Sequence, residues 1–383
     1  MGTIKLKSSI KNDDYTNYVY EAFDIQNKEE TEVEVSFNLS EAKDFDWNIG
    51  VIYGSSGSGK TTILKRMGKL SESNFDYEKP LISNFDWLEP KDATLLLTSM
   101  GLSSVPTWLR PFHLLSNGEQ YRASLAYKVG KAKDNEVVLV DEYTSVVDRD
   151  VAKAMSFALQ KYIRRTNKRI ILASCHFDIM EWLMPDWTCS PQKNEGSLER
   201  GQWLRQGKPQ IKLQVSRVEY DTWNFFKKHH YLTEDLNKAF NLLLFEWNGK
   251  PVGIVVYKSQ PTGAVPNGYG LSRTVILPDY QGMGIGSKIS EFTASILVNK
   301  GKRVFTKTVN PALGEYRDSS SVFRPTSKNR KIRKDSNTDK AGKRLARASY
   351  CYEYIGEGLS GYEELLKPIK EMREAKSLTL FQY

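Results

Sequence analysis

Residues 51–70, VIYGSSGSGKTTILKRMGKL, leave less freedom than any other stretch of the chain. An apolar run, a glycine-rich turn and a helical Lys-Thr-Thr read as strand, loop and helix in that order. Gly54, Ser55, Ser56, Gly57, Ser58 and Gly59 let successive backbone N–H groups turn inward on phosphate oxygens. Lys60 reaches the terminal phosphates, and Thr61 and Thr62 open the helix, with the Thr61 hydroxyl offered to Mg2+. A purely structural glycine turn needs neither the lysine nor the threonine.

Two further strand ends belong to the same chemistry. EVVLVDE finishes in Asp141 and Glu142: one carboxylate holds Mg2+ through water, and the next orients or deprotonates an attacking water. RIILASCH finishes in His176. Strand-like runs alternate here with helical ones such as RDVAKAMSFALQKYIRR, which is the pattern of an α/β layered domain. Between the strands, LLSNGEQYRASLA carries Leu115-Ser116-Asn117-Gly118-Glu119. With Ser145 to Asp148 and His176, this order resembles the ABC ATPase family: phosphate loop, signature, paired carboxylates, D-loop and switch histidine. The resemblance implies a head-to-tail, ATP-dependent homodimer in which Ser116 and Gly118 reach the γ-phosphate bound by the partner's phosphate loop. Only 55 positions separate Lys60 from Leu115, and no glutamine lies between Leu70 and Leu115 to act as the usual Q-loop. The surface that grips a membrane partner is thus trimmed, and the GEQ ending resembles the DNA-repair and chromosome-organising branch.

At 383 residues the chain has room for two domains. The expected division is an ABC-type ATPase domain over residues 1–205 and a second domain over 206–383, joined by a polar, glycine-containing connection at about 189–210. Residues 1–205 carry 26 Lys and Arg against 29 Asp and Glu, whereas residues 206–383 carry 29 against 17. The net charges, −3 and +12, direct an anionic partner to the second half. No apolar run approaches the roughly 20 residues of a membrane span, and no secretory pattern opens the chain, so the expected location is cytoplasmic. Cys175, Cys189 and Cys351 form no CxxC pair, which argues against a disulfide framework or a zinc site.

In the second half, FNLLLFEWNGKPVGIVVYK places Asn248 and Gly249 between two apolar runs, a hairpin signal. A β-run through Val275, Ile276 and Leu277 then leads to Gln281, Gly282, Met283, Gly284, Ile285 and Gly286, followed by an amphipathic helix to about Lys300. Glycines at a helix N-terminus make an anion site. The segment resembles the GNAT acyltransferase superfamily, whose Q/R-x-x-G-x-G/A loop is matched by Gln281, Gly284 and Gly286. That resemblance implies a mixed α+β domain in which residues 275–277, 281–286 and Asn310 bind acetyl-CoA or another acyl-CoA. It places Tyr316, one residue short of the family spacing, near a thiolate-protonating tyrosine, with an ordinary packed tyrosine as the alternative. His229 and His230 are candidate bases, the alternative being a histidine packed beside aromatics. Arg273 and Arg317 are candidate phosphate contacts or plain surface charge.

The acceptor follows from the run at residues 324–347, which holds ten Lys or Arg against two Asp. Arg324, Lys328, Arg330, Lys331, Arg333, Lys334, Lys343 and Arg344, with interspersed Ser, Thr and Asn, suit phosphate contacts on a nucleic acid. At the level of fold and idea, the second half is similar to phage Mom-type acyltransferases that modify DNA bases. The expectation is a bifunctional protein, with ATP, Mg2+ and acyl-CoA as ligands and a DNA or tRNA base as acceptor. Acylation of a protein or small amine, or a non-catalytic acyl-CoA-sensing ATPase, stands as the alternative.

Overall fold

A computed structural model describes residues 2–26, 29–134, 136–193, 196–206, 209–230, 236, 239–338, 344–367 and 376–380. The chain packs as two compact units, residues 1–72, 131–145 and 163–207 in the first and 73–130, 146–162 and 208–383 in the second. Its last passage between units lies beside the expected boundary. Two earlier excursions, residues 73–130 and 146–162, group with the C-terminal half.

In the first unit, β1 (Gly2–Ser9) and β2 (Glu30–Phe37) pair antiparallel around α1 (Asp14–Ala22). A second sheet holds β3 (Ile49–Tyr53), β4 (Val137–Val140), β5 (Arg169–Ser174), β6 (Trp187–Cys189) and β7 (Leu198–Arg200) in the order β4-β5-β3-β6-β7. β3, β4 and β5 are unbroken Val/Ile/Leu-rich runs and pair in parallel, as strands covered on both faces do. β7 adds antiparallel at the edge and lies within the stretch expected to connect the two halves. Asp186 fixes the start of β3, accepting from the N–H groups of Asn48 and Ile49, both at 2.8 Å, while Arg164 donates to its other oxygen at 3.0 Å. Trp47, Ile52, Ile63, Leu64, Leu139, Ile171 and Trp187 share the core, the two indoles edge to face at 5.5 Å. α2 (Lys60–Met67) follows β3.

The second unit contains, among the described residues, an eight-stranded sheet in the order β13-β16-β12-β11-β10-β9-β8-β17. Its strands are β8 (Ile211–Val218), β9 (Asn241–Trp247), β10 (Lys250–Ser259), β11 (Gly268–Ile276), β12 (Arg303–Thr308), β13 (Phe323–Pro325), β16 (Tyr350–Tyr354) and β17 (Lys376–Leu380). β14 (Ile332–Thr338) and β15 (Arg344–Ala348) pair antiparallel as a separate two-stranded sheet. The turn between β9 and β10 has positive φ at both Asn248 (50°) and Gly249 (75°), the tight two-residue geometry their sequence calls for. β11 and β12 run parallel and pair only from Gly268 with Arg303 to Leu271 with Thr306, although β11 continues to Ile276 and β12 to Thr308. The two strands therefore splay. A register shift between Val256 and Tyr257 on β10, which pair Arg273 and Leu271, leaves Ser272 unmatched as a bulge beside the opening.

α9 (Ile285–Asn299) follows β11, and α10 (Pro311–Ser319) follows β12. The stretch YDTWNFFKKHHYL is shorter as a helix than its pattern suggests: α8 spans Trp223–Phe226 and is flanked by 3-10 turns at Tyr220–Thr222 and Lys227–His229. Trp223 and Phe226 pack with Leu242, Ile254, Val256 and Val275, so burial of the two aromatics, not a long helical face, sets this segment.

The same unit includes α3 (Pro90–Ser99), α4 (Val105–Trp108), α5 (Asn117–Lys131) and residues 149–162 of α6 (Arg149–Thr166). Phe75 stacks on Phe112 with ring centroids 4.1 Å apart, and Phe85, Trp87 and Tyr127 complete that cluster. Lys91 pairs with Glu315 at 2.8 Å and Lys250 with Asp150 at 2.5 Å, joining these helices to the large sheet and its α10. Exposed pairs of this kind fix register more than they stabilise.

Candidate active sites

The first candidate site gathers at the C-terminal ends of β3, β4 and β5, where open α/β sheets bind ligands. Gly57 (φ 79°) and Gly59 (φ 89°) turn the loop after β3 with backbone in the left-handed region, and Gly59 caps α2. Lys60 Nζ lies inside the loop, donating to the carbonyls of Gly54 at 2.9 Å and Ser55 at 2.7 Å. Ser58 Oγ is buried with no hydrogen-bond partner among the described residues. A cradle with an ammonium at its centre and an orphaned hydroxyl fits a phosphate group. Thr61 and Thr62 occupy the first turn of α2, half-buried. Gln192, which sequence reasoning missed, contacts this loop: its Oε1 accepts from Ser55 N and Oγ, both at 3.1 Å.

Asp141 and Glu142 follow β4 directly, with Asp141 Oδ1 accepting from Glu142 N at 2.9 Å. Glu142 (φ 50°) and Thr144 (φ 70°) are non-glycine residues in the left-handed region, a local strain of order 1–3 kcal/mol each. Neighbouring bonds hold the strained turn. Tyr143 N donates to Ala173 O at 2.8 Å, and Ser174 Oγ donates to Tyr143 O at 2.9 Å. His176 Nδ1 lies 3.1 Å from Thr144 Oγ1. The structure thus brings Lys60, Asp141, Glu142 and His176 into one unit on adjoining strand ends. Among the described residues no group of three or more His, Cys, Asp or Glu is arranged to hold a metal ion by itself. Any Mg2+ would rest on Thr61 and Asp141 with phosphate and water oxygens.

The signature residues lie in the second unit. Ser116 precedes α5, and its N–H and hydroxyl both donate to Glu119 Oε2, at 3.0 and 2.9 Å. Thr107 Oγ1 donates to Glu119 Oε1 at 2.9 Å. Burial alone would raise the Glu119 pKa, but these donors and the Arg122 charge hold it below the ordinary value. Gly118 sits in the first turn of α5.

The second candidate site surrounds the loop after β11. Gly282 (φ 86°) and Gly284 (φ 82°) are left-handed, and Gly284 caps α9. The first turn of α9 leaves the N–H groups of Ile285, Gly286 and Ser287 without intrahelical acceptors. A cleft of about 310 Å³ opens on this loop. Val275, Ile276, Gln281, Gly282, Gly284, Ile285, Gly286 and Asn310, the residues expected to bind acyl-CoA, line it together with His229 and His230. Leu277 and Met283 do not line it, and Met283 is fully buried. Asn310 also caps α10, accepting from Leu313 N at 3.3 Å.

Gln281 has a use the motif did not reveal. Its Oε1 accepts from Ser103 N at 2.7 Å and its Nε2 donates to Ile276 O at 2.9 Å, so the side chain braces the loop. Thr98, Ser103 and Lys161, from helical segments far upstream in sequence, complete the cleft wall. Nothing local in their sequence signals this. Tyr316 does not line the cleft: its hydroxyl donates to Glu291 Oε1 at 2.5 Å, and burial followed by that carboxylate raises its pKa. Burial, then Lys228 and Arg110, lower the His229 pKa below 6.5, with Glu119 opposing. His230 meets Trp223 edge to face at 6.0 Å. Arg273 lies over the Trp223 ring, and Arg317 is buried over Phe323.

A larger cavity of about 700 Å³ lies along the same splay. Ser272, Phe305, Thr306, Thr308 and Val309 line it, with Lys258, Lys307 and Lys328 as its cations. Ser272 and Val309 on this side are two residues and one residue, respectively, from Thr274 and Asn310 in the smaller cleft, so both openings are lined by neighbouring residues of β11 and of the end of β12. Of the cationic residues at 324–347, Arg324 pairs with Glu353 at 2.8 Å and Arg330 with Asp318, while Lys328 and Lys331 are exposed. Arg333, Lys334 and Arg344 are placed by their backbone on β14 and β15; Lys343 lies outside the described residues.

The model of the Acetyltransferase (GNAT) family matches residues 178–317, which include β8 to β12, the glycine loop and α9. Those residues carry a GNAT acetyltransferase domain. Among solved structures, this chain is similar to the ribosomal-protein-S18-alanine N-acetyltransferase of Escherichia coli, at 15% identity over 39% of this chain and 97% of that one, TM-score 0.30. A GNAT family acetyltransferase of Elizabethkingia anophelis with acetyl-CoA bound matches at 15% identity, covering 38% of this chain and 98% of that one, TM-score 0.28. The ATP-binding cassette MJ0796, a dimeric structure bound to ADP and Pi, matches at 16% identity over 46% of this chain and 92% of that one, TM-score 0.32. No curated protein matches the chain. No helix among the described residues is long and apolar enough to cross a membrane. The GNAT domain thus includes the cleft, while Thr98, Ser103 and Lys161 reach it from outside the matched residues.

Proposed function

We propose that the chain is an acetyl-CoA-dependent N-acetyltransferase acting on a nucleic-acid base and gated by an ATP-driven homodimer of its ABC-like part. The observation that carries this reading is a pair of openings lined by neighbouring residues of β11 and of the end of β12: a glycine-loop cleft of about 310 Å³ and a lysine-lined cavity of about 700 Å³. The edge of β11 beyond Leu271 has no β12 partner, so its backbone is available to an amide-bearing arm laid between the strands. Pyrophosphate would sit on the first turn of α9, with Lys161 as an added cation.

The reaction is attack of an uncharged amine on the thioester carbonyl. A C–N bond forms, the C–S bond breaks, and the sulfur leaves as a thiol once it gains a proton. His229 lines the donor cleft and is kept neutral near pH 7 by its lowered pKa, which suits it to take the ammonium proton directly or through water. Tyr316, committed to Glu291, is set aside as the proton donor to sulfur. Lys258, Lys307 and Lys328 give the acceptor cavity the charge expected for phosphate-bearing substrates. Transfer from a thioester is downhill without ATP. The reading therefore assigns ATP, with Mg2+ on Thr61 and Asp141 and water attack promoted by Glu142 and His176, to clamping a large substrate.

The test is transfer of label from radioactive acetyl-CoA, with Mg-ATP, into parallel pools of DNA, tRNA and protein, followed by nucleoside mass spectrometry. Label in a nucleoside, increased by ATP, is the expected result. Label in protein alone would move the acceptor class. No label in any pool, with ATP hydrolysis intact, would favour an acyl-CoA-sensing ATPase, a reading to which the engaged Tyr316 hydroxyl lends support.

A further inference from the structure

The turn between α3 and α4, the first turns of α5 and the loop after β11 all belong to the second unit, and one side chain bonds to all three. Arg122 is 2% exposed. Its Nε donates to Gly118 O at 3.1 Å, and its Nη1 donates to Gly101 O at 3.1 Å and to Pro278 O at 2.5 Å. Gly118 is the signature glycine. Pro278 opens the turn that leads into the glycine loop of the donor cleft. Two further contacts reinforce this bond. Ser103 N donates to Gln281 Oε1 at 2.7 Å, and Gly101 lies so close to the loop that a Cβ on it would stand 2.9 Å from Gln281 O.

A buried guanidinium is a costly way to join backbone segments, because leaving any of its donors unmet carries the penalty of an unpaired charge-assisted bond. Burial depresses the Arg122 pKa, against which Asp279, Glu119 and Asp148 pull it upward. The planar fork has fixed donor directions, so movement of the Gly118 carbonyl relative to Pro278 cannot be followed without breaking a bond. Such an element favours two discrete arrangements over a continuous range.

We infer that Arg122 is a positioning residue that ties nucleotide occupancy at Ser116 and Gly118 to acyl-CoA occupancy at the loop of residues 281–286, each ligand changing the other's affinity by the same factor. This inference rests on the proposed ATP and acyl-CoA sites and adds a linkage between them. Arg122 touches neither ligand in this scheme; it sets the relation of the two loops.

The experiment uses the full chain carrying Glu142→Gln, to hold ATP unhydrolysed. Acetyl-CoA is titrated by calorimetry with and without saturating Mg-ATP, and ATP is titrated with and without saturating acetyl-CoA. The expected result is a common factor of roughly fivefold or more in both directions, falling toward one in the Arg122→Met variant while both ligands still bind. Arg122→Lys, which keeps the charge but cannot span three carbonyls, should retain only part of the factor. A factor of one in the Glu142→Gln protein overturns the coupling without any Arg122 variant, so the result survives a failure of Arg122→Met to fold. An undiminished factor in a folded Arg122→Met or Arg122→Lys protein overturns it as well. Absence of acetyl-CoA binding in the parent protein overturns the donor-site reading together with this one, a different outcome from two ligands that bind independently.

Discussion

Replacing Gly282 by alanine should weaken the donor loop by an amount that can be worked from its surroundings. At φ 86° an added Cβ adopts the left-handed backbone, at a cost of about 1–2 kcal/mol. It would also stand 2.6 Å from Ala158 Cβ and 3.1 Å from Gly101 Cα. Neither is the far end of a flexible side chain, so backbone must shift, adding about 1–3 kcal/mol. Gly301 supplies the control: its φ is 69°, but nothing lies within 4 Å of its added Cβ, so Gly301→Ala carries the strain without the clash. Urea unfolding of both variants should therefore show Gly282→Ala less stable than Gly301→Ala by about 1–3 kcal/mol. Calorimetry should show weakened acetyl-CoA binding in Gly282→Ala only. Ala158→Gly in the Gly282→Ala background removes the opposing Cβ and should recover part of the loss, less about 1 kcal/mol for a helical glycine. Equal destabilisation of Gly282→Ala and Gly301→Ala, or additivity of Gly282→Ala with Ala158→Gly, would refute the claim that helix α6 packs against the donor loop.

Lys161→Glu should raise the KM for acetyl-CoA by roughly tenfold, equivalent to about 1.4 kcal/mol; the increase should shrink with a pantetheine thioester that lacks the nucleotide phosphates, and an equal increase for both donors would remove Lys161 from phosphate recognition. His229 has a pKa lowered from 6.5, so it stays neutral as pH falls through 6.5 and charges only below it. The acid limb of kcat/KM should accordingly lie below pH 6.5 and be lost in His229→Gln; a limb at or above 6.5 would exclude His229 as its source. The stability contribution has the matching sign: the unfolded chain binds the proton first, so stability is lost as pH falls from 6.5 toward the folded pKa. For nucleic acid, Lys328→Ala should reduce the slope of log binding constant against log salt by about one contact's worth, roughly 0.7–0.9. Arg330→Ala, whose cation is already paired with Asp318, should leave that slope nearly unchanged, and a larger effect of Arg330→Ala than of Lys328→Ala would reverse the assignment.

What the sequence made legible was local. Gly57, Gly59, Gly282 and Gly284 announce left-handed backbone through the residue type that adopts it most readily, and Asn248-Gly249 announces a tight hairpin in a similar way. The Val and Ile runs of β3, β4 and β5 identify buried parallel strands because no solvent face interrupts them. Contacts between distant segments left no such trace. Gly101 against Gly282, Ser103 to Gln281 and Arg122 to Pro278 join positions more than 150 residues apart, and none belongs to a periodic pattern. Gln192 at the phosphate loop was hidden for the same reason: it lies on the same chain, 137 residues from Ser55. In the basic run at 324–347 composition does not show that Arg324 and Arg330 each face a carboxylate while staying largely exposed.

That pairing bears on why an ATP-driven clamp would accompany a reaction that needs no energy input. If the basic run were wholly unpaired, charge alone could hold a polyanion against the second half, and gating would add little. With Arg324 and Arg330 paired, the lysines lining the large cavity would, on the proposed reading, carry more of the attraction. A cavity of about 700 Å³ accommodates a nucleotide-sized fragment, not a duplex, so on the proposed reading a base would have to be presented to it out of its stack at a cost of a few kcal/mol. A substrate held weakly outside and admitted at such a cost gains from a dimer that closes for longer than the base stays unstacked. In this scheme ATP sets the dwell time of the acceptor, and Arg122 lets the donor loop sense that closure before the thioester is spent.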